Sequence, residues 1–260
     1  MMRVISITNQ KGGVGKTTTA INLGAALAKT GLSVLIVDLD PQGNASTGLG
    51  VSASSRELTT YDILIDGAAL EDVAKPTDIK NLAIAPATTD LSSTDVELGQ
   101  RDNRVFLFKD ALGQSSKKYD FVLIDCPPSL SLLTLNALVA SDSILVPLQA
   151  EFFALEGLSQ LMLTVREIRE TANPSLRIDG IVLTMHDARN RLSRQVEEDA
   201  RTNLGDLVFT TMIPRNVRLS EAPSYALPVI AYDPASKGAQ AYLDLAKELI
   251  ERGTPKMETA

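Results

Sequence analysis

Cysteine is nearly absent from this 260-residue chain. The single Cys126 excludes a disulfide framework and leaves no cysteine-rich metal or iron–sulfur site; it is expected as a small buried residue. Histidine is as scarce, and the one example, His186, takes no role from the sequence. No apolar run approaches the roughly 18 residues that a membrane span needs. The N-terminus, MMRVISITNQ, lacks the basic region, apolar core and cleavage site of a secretory signal, which points to the cytoplasm. There is no Pro/Gly/Ser-rich linker and no internal repeat, so a single domain is expected over residues 1–252, with a frayed tail at 253–260. Lysine is missing from one long stretch: between Tyr119 and Ser236 every cationic side chain is arginine.

The net charge of −7 argues against a chain coated in basic surface for nucleic acid. The distribution says more, because Arg189, Arg191, Arg194, Arg201, Arg215 and Arg218 fall within one short segment. On composition alone the plainer reading is a set of solvated helix faces paired with Asp187, Glu197, Glu198 and Asp199.

What is present is a rhythm. Short Val/Ile/Leu-rich runs at Val4–Thr8, Val34–Asp38, Leu82–Ala85, Phe121–Asp125, Ser143–Pro147, Ile178–Thr184 and Val208–Ile213 read as strands buried on both faces. Amphipathic stretches at Lys16–Lys29, Arg104–Gln114, Leu130–Ala140, Leu155–Thr171, Leu192–Asn203 and Ala239–Arg252 lie between them. This alternation predicts an α/β fold, a doubly wound, mostly parallel sheet flanked by helices, with functional loops at the C-terminal strand ends.

The first such loop has a definite chemistry. NQKGGVGKTTT follows a strand and opens a helix, a glycine-rich loop closing on the Gly-Lys-Thr of a P-loop. The loop backbone from Lys11 through Gly12, Gly13, Val14 and Gly15 is expected to turn its N–H groups toward a β-phosphate, at the positive end of the helix. Lys16 is expected to reach the β- and γ-phosphates of ATP, Thr17 to ligate Mg²⁺, and Thr18 to approach the α-phosphate. Downstream, VLIVDLDPQGN places Asp38 and Asp40 two apart on an extended segment, so both carboxylates face one way beside the P-loop. FVLIDCPPS resembles a Walker B strand, with Asp125 acting on Mg²⁺ and Pro127 and Pro128 stiffening the segment that follows.

The string KGGVGKTT resembles the deviant Walker A motif of the ParA/MinD group of ATPases. NASTGLG, CPPSLSLLTLNAL, EFFALEGLSQL, LTMHDARNRLS and IPRNVRLSEAPSY look like chromosome-partitioning ATPases of the ParA/Soj type, from about Arg3 to Arg252. That resemblance implies a slow ATPase that forms an ATP-sandwich homodimer, with Lys11 reaching the partner's nucleotide. It implies that Asp40 positions the attacking water, that Asp38 supports it near the metal, and that Pro214 and Asn216 meet adenine. It further implies non-specific binding of double-stranded DNA through Arg189 and Arg218, with Arg215 and Arg191 behind them, and release by a ParB-type partner that stimulates hydrolysis at the nucleoid. After PSY the family usually continues with Gly and Lys, whereas Ala226 and Leu227 stand here, removing a cation from the implied DNA face. No helix-turn-helix segment precedes the P-loop, so operator binding is not expected. A MinD-like ATPase would end in a basic amphipathic helix, whereas AYLDLAKELIERG carries Asp244, Glu248 and Glu251 and is expected to pack on the body without stable membrane association. The residues also leave room for a P-loop metabolic enzyme, and for a ParA-type ATPase that moves a plasmid or another cellular cargo.

Overall fold

The computed structural model describes residues 2–151 and 154–253, the side chains of 154–156 excepted. Strands β1 (Arg3–Ile7), β2 (Val34–Asp38), β3 (Lys75–Pro76), β4 (Leu82–Ala85), β5 (Phe121–Asp125), β6 (Ser143–Gln149) and β7 (Arg177–Thr184) form one sheet in the order β3-β4-β2-β5-β1-β6-β7. All neighbours pair in parallel except β3, a two-residue antiparallel edge strand that contains Pro76. Proline is tolerated there because an edge strand need not donate on both sides.

Successive residues of the central strands face opposite sides, and both sides are buried. Ile5, Ile7, Val34, Ile36 and Leu123 pack beneath the helices Lys16–Lys29 and Lys237–Gly253. Val4, Leu35, Val37, Val122 and Ile124 pack on the other side, against Leu112 and Phe108 of helix Leu107–Gln114 and Leu133 and Ala137 of helix Leu132–Ala140. A third cluster joins β6 and β7 to helices Ala154–Thr171 and Arg191–Leu204. Double burial is why these strands read as continuous apolar runs. Helix Lys237–Gly253 buries Tyr242, Leu245, Ala246 and Leu249, so its apolar face is spent on the body, as its sequence suggested. Apart from Gly253, which ends that helix, the expected tail lies outside the described residues. Among the described residues no helix is long and apolar enough to cross a membrane.

One expected strand does not form. Val208–Ile213 touches β7 through Phe209 N to Ile181 O (2.9 Å) and Ile213 N to Leu183 O (2.8 Å), but it builds no ladder between them. The reason is local: the amides of Thr210 and Thr211 both donate to the Glu248 carboxylate, at 2.8 Å each, and are withdrawn from the sheet edge.

Candidate active site

Because β5 lies between β1 and β2, the C-terminal ends of three strands meet at the P-loop. Asp38, Asp125 and Ile7 stand side by side in register, and the loop leaves β1 immediately after Ile7. The loop turns through left-handed residues at Gly13 (φ 75°) and Gly15 (φ 90°), a region costly for any residue with a β-carbon. Gly15 caps helix Lys16–Lys29 without a side-chain hydrogen bond, which leaves the first amides directed at the loop. Gly12 and Gly13 are exposed, Val14 is buried, and the Thr184 hydroxyl donates to the Val14 carbonyl at 2.8 Å. Asn9 anchors the other limb: its amide nitrogen donates to Pro147 O (2.8 Å) and its oxygen accepts from Lys11 N (3.0 Å). The cradle is therefore clamped between β6 and β7 before any ligand arrives.

The two lysines behave differently. Lys16 is buried and its ammonium donates to the Lys11 carbonyl at 3.0 Å. Burial lowers its proton affinity, and the neighbouring carboxylates of Asp125 and Asp40 oppose that shift. Lys11 points away from the cradle and pairs with Glu151, just beyond β6, at 3.3 Å. Thr17 and Thr18 are half-buried on the first helical turn.

The acidic residues divide the same way. Asp38 is fully buried, and both its oxygens are engaged: Oδ2 accepts from the backbone and hydroxyl of Ser46 (2.9 and 2.7 Å), and Oδ1 accepts from Asp40 N (3.2 Å). Burial still raises its proton affinity, to a pKa of about 6. Asp38 thus holds the segment that carries Asp40 rather than offering a free oxygen to a metal. Asp40 Oδ1 accepts from Gln42 N at 2.9 Å. Asp125 is the exception in the whole cluster. It is completely buried, and neither carboxylate oxygen has a partner with good hydrogen-bond geometry, although the Thr17 hydroxyl lies close enough to favour its ionised form. Burial, with the charge of Asp38 next, pushes its proton affinity up. An orphaned, buried carboxylate beside a threonine hydroxyl is what a hard divalent cation fits. Cys126, next along, is buried with its thiol pushed far up by burial, which makes it a packing residue and not a nucleophile.

Beyond the phosphate end, a cavity of about 510 Å³ opens between Gly15 and Thr18 on one side and Pro214, Asn216 and Tyr242 on the other. The Asn216 oxygen accepts from Arg218 N at 2.9 Å and caps the helix Val217–Glu221, so its amide nitrogen is the atom left to face the cavity.

Known proteins resemble this chain over nearly its whole length. A family model described as an AAA domain matches residues 2–178. The chromosome partitioning protein ParA of Caulobacter vibrioides is 54% identical over 253 residues, covering 96% of this chain and 95% of that one. The sporulation initiation inhibitor protein Soj of Bacillus subtilis is 53% identical, covering 97% and 100%. The chain belongs to the ParA/Soj family. Among solved structures, cobyrinic acid a,c-diamide synthase from Mycobacterium smegmatis with bound ADP and magnesium is 36% identical at a TM-score of 0.84, covering 96% and 95%. The septum site-determining protein MinD of Pyrococcus horikoshii, complexed with Mg-ADP, is 31% identical at 0.79, covering 96% of each chain.

The arginines that family resemblance singles out sit on two adjoining segments. His186 N donates to Ile213 O and Arg215 N donates to His186 O, both at 3.0 Å, which lays the loop bearing Arg189 against the one bearing Arg215 and Arg218. His186 itself is buried, its Nε2 3.1 Å from Glu197. Arg189 is almost fully exposed and paired with Asp187 at 3.0 Å; Arg218 is paired with Glu221 (2.7 Å) and Asp233 (3.1 Å). Arg191 and Arg215 are exposed, and among the described residues neither has an ion-pair partner. Ala226 takes a left-handed conformation, φ 56° and ψ 34°, which explains why glycine is usual at that position.

Sequence reasoning passed over four residues that shape this site: Asn9, Ser46, Thr184 and Glu151. Each acts through hydrogen bonds or an ion pair to another segment of the chain, and no local pattern announces such a contact.

Proposed function

We propose that the chain drives chromosome partitioning by ATP hydrolysis: it binds ATP and Mg²⁺, pairs with a second copy of itself across two nucleotides, holds double-stranded DNA without sequence preference, and lets go when a ParB-type protein accelerates turnover. It works in the cytoplasm, on the nucleoid. The observation that carries this reading is the position of Lys11. Lys16 alone fills its own cradle, while the Lys11 ammonium lies outside it on Glu151, available to a nucleotide held by another copy.

In this reading Lys16 and the loop amides bind the β- and γ-phosphates, Thr18 the α-phosphate, and Pro214 with the Asn216 amide nitrogen the adenine. Thr17 and Asp125 would hold Mg²⁺, which neutralises charge on the phosphate oxygens when bound. Asp40 orients water; the water oxygen bonds to the γ-phosphorus as the bridge to ADP breaks, and Lys11 of the second copy offsets the developing charge. Asp38 works one step back, by fixing the Asp40 segment. DNA contacts come from Arg215, Arg191, Arg189 and Arg218, and the acidic whole tolerates them because two such faces converge only in the dimer.

The deciding experiment measures ATP turnover alone, with duplex DNA, and with DNA plus an N-terminal peptide of a ParB-type protein from the same genome. Turnover that rises severalfold only with both supports the reading, and turnover indifferent to both overturns it.

A further inference from the structure

One cation near the site is neither in the P-loop nor on the arginine face. Arg56 follows the short turn Ala53–Ser55 in a serine-rich loop, and its guanidinium is half-buried. All three of its nitrogens are spent on the segment that begins at Asp40 and on the strand end beside it. Nε donates to Val51 O (3.2 Å); Nη1 donates to Ala87 O (2.8 Å); Nη2 donates to Val51 O (2.8 Å), to the Thr47 hydroxyl (2.8 Å) and, at 3.4 Å, to Gly43 O. No carboxylate pairs with it among the described residues. Its five hydrogen bonds go to one hydroxyl and three backbone carbonyls, which fits a clamp and not a surface charge.

The clamped segment cannot hold itself. Helix Asn44–Gly48 has five residues and no side-chain cap, far below the length at which a helix is stable alone. It is held from inside by Asp38 through Ser46, and from outside by Arg56. Asp40 sits at the root of both attachments: Gly43 N donates to Asp40 O at 2.9 Å, and Gln42 N donates to its carboxylate at 2.9 Å. Gly43 shows how closely the clamp is fitted. Its φ is 61°, and a β-carbon there would lie 2.4 Å from Arg56 Nη1 and 3.0 Å from Ala87 O. The residue is glycine for two independent reasons, conformation and room for the guanidinium.

We propose that Arg56 is a positioning residue for hydrolysis: it pins the Asp40–Val51 segment to the end of β4, so that the Asp40 carboxylate meets the attacking water in one place. This rests on the role of Asp40 proposed above. Misplacing a reacting group by about an ångström costs up to about a hundredfold in rate while leaving substrate affinity, set here by the P-loop, intact.

The test is steady-state ATP hydrolysis by the full chain with DNA and the stimulating peptide, for Arg56→Ala, Arg56→Lys and Asp40→Ala. Arg56→Ala is expected to lower kcat by about ten- to a hundredfold with the KM for ATP within about twofold. Arg56→Lys is expected to recover only part of the loss, because the single nitrogen of an ammonium cannot occupy the three separate positions from which Nε, Nη1 and Nη2 donate. Unchanged kcat in Arg56→Ala overturns the proposal, as does a loss seen in KM alone or full rescue by lysine. Should Arg56→Ala not fold, the comparison of Arg56→Lys with the parent decides on the same split. Parental turnover in Asp40→Ala, by contrast, removes the role of Asp40 and not the clamp. Protection of the Gly43–Thr47 amides from hydrogen exchange, lost in Arg56→Ala, is then the reading that keeps the two apart.

Discussion

Asp38 and Asp125 are direct partners in register across β2 and β5, both fully buried, one saturated with hydrogen bonds and the other with none. Two carboxylates in such a place cannot both ionise cheaply: burial raises the hold of each on its proton, and the charge of Asp38 adds to the rise at Asp125. Their difference in partners divides them: one anchors the Asp40 segment, and the other keeps both oxygens free for the cation proposed above.

A pH dependence follows, with a definite sign. Asp38 ionises near 6 in the folded, nucleotide-free protein and near 3.8 when unfolded, so between about pH 4 and 6 the folded state binds more protons. Stability contributed by this group is complete below about 4 and lost as pH rises through 6, on the order of 2–3 kcal/mol. Glu71 and Asp187, held near 2, act oppositely, and their contribution disappears only as pH falls below about 4. Urea unfolding of Asp38→Asn at about pH 4.5, 5.5 and 6.5 is expected to show a flatter profile than the parent. Parallel profiles would count against the pairing.

The P-loop lysines should separate binding from pairing. Lys16→Ala removes the one ammonium inside the cradle and is expected to weaken ATP binding by at least about a hundredfold. Lys11→Ala leaves the cradle whole, so nucleotide binding should stay within a few-fold while ATP-dependent dimers vanish. Fluorescent-nucleotide titration and sedimentation velocity with ATP read the two effects; ATP-dependent dimers of Lys11→Ala at parental affinity would contradict the assignment.

Much of this was legible in the sequence, and for a physical reason. Doubly buried parallel strands write themselves as apolar runs, and a phosphate loop must carry its glycines, lysine and threonine at set offsets, so β1, β2, β5 and the residues from Lys11 to Thr18 stood in plain view. Val208–Ile213 misled because its apolar pattern is that of a strand, while the decision rested with Glu248 on the last helix, which takes the amides a ladder would need. Arg56 and Glu151 were silent for the same reason: each is one polar residue in a polar loop, and its meaning lies in where the carbonyls of Val51 and Ala87, or the ammonium of Lys11, happen to stand. The division between Asp38 and Asp125 was also hidden, because both end strands with the same chemistry and only their partners differ.

Ala226 offers a test of backbone strain. A residue with a β-carbon in the left-handed region costs about 1–2 kcal/mol, of which glycine returns part as extra freedom in the unfolded chain. Ala226→Gly is therefore expected to stabilise the protein by up to about 1 kcal/mol, read as a higher urea midpoint with an unchanged slope. A lower midpoint would mean that the Ala226 methyl makes contacts worth more than its strain.

The arginine face can be tested charge by charge. Arg218 is already neutralised by Glu221 and Asp233, and Arg189 by Asp187, so each must exchange a carboxylate for a phosphate on binding DNA. Among the described residues Arg191 and Arg215 have no such partner to give up, and they should contribute more per residue. With ATP and a random-sequence duplex, Arg215→Ala or Arg191→Ala is expected to lower affinity uniformly across sequences and to reduce the slope of log K against log salt by about one for each phosphate no longer neutralised. Arg189→Ala and Arg218→Ala should cost less, because the freed Asp187, Glu221 and Asp233 repel phosphate only weakly at the exposed rim. The double variant Arg189→Glu, Arg218→Glu goes further, since it adds negative charge on both adjoining segments, and binding should fall to background at about 150 mM salt. Fluorescence anisotropy across a salt series measures all of these. Parental affinity in the double variant would move the DNA face elsewhere on the dimer, and equal losses for the paired and unpaired arginines would mean that the monomer's ion pairs do not persist in solution.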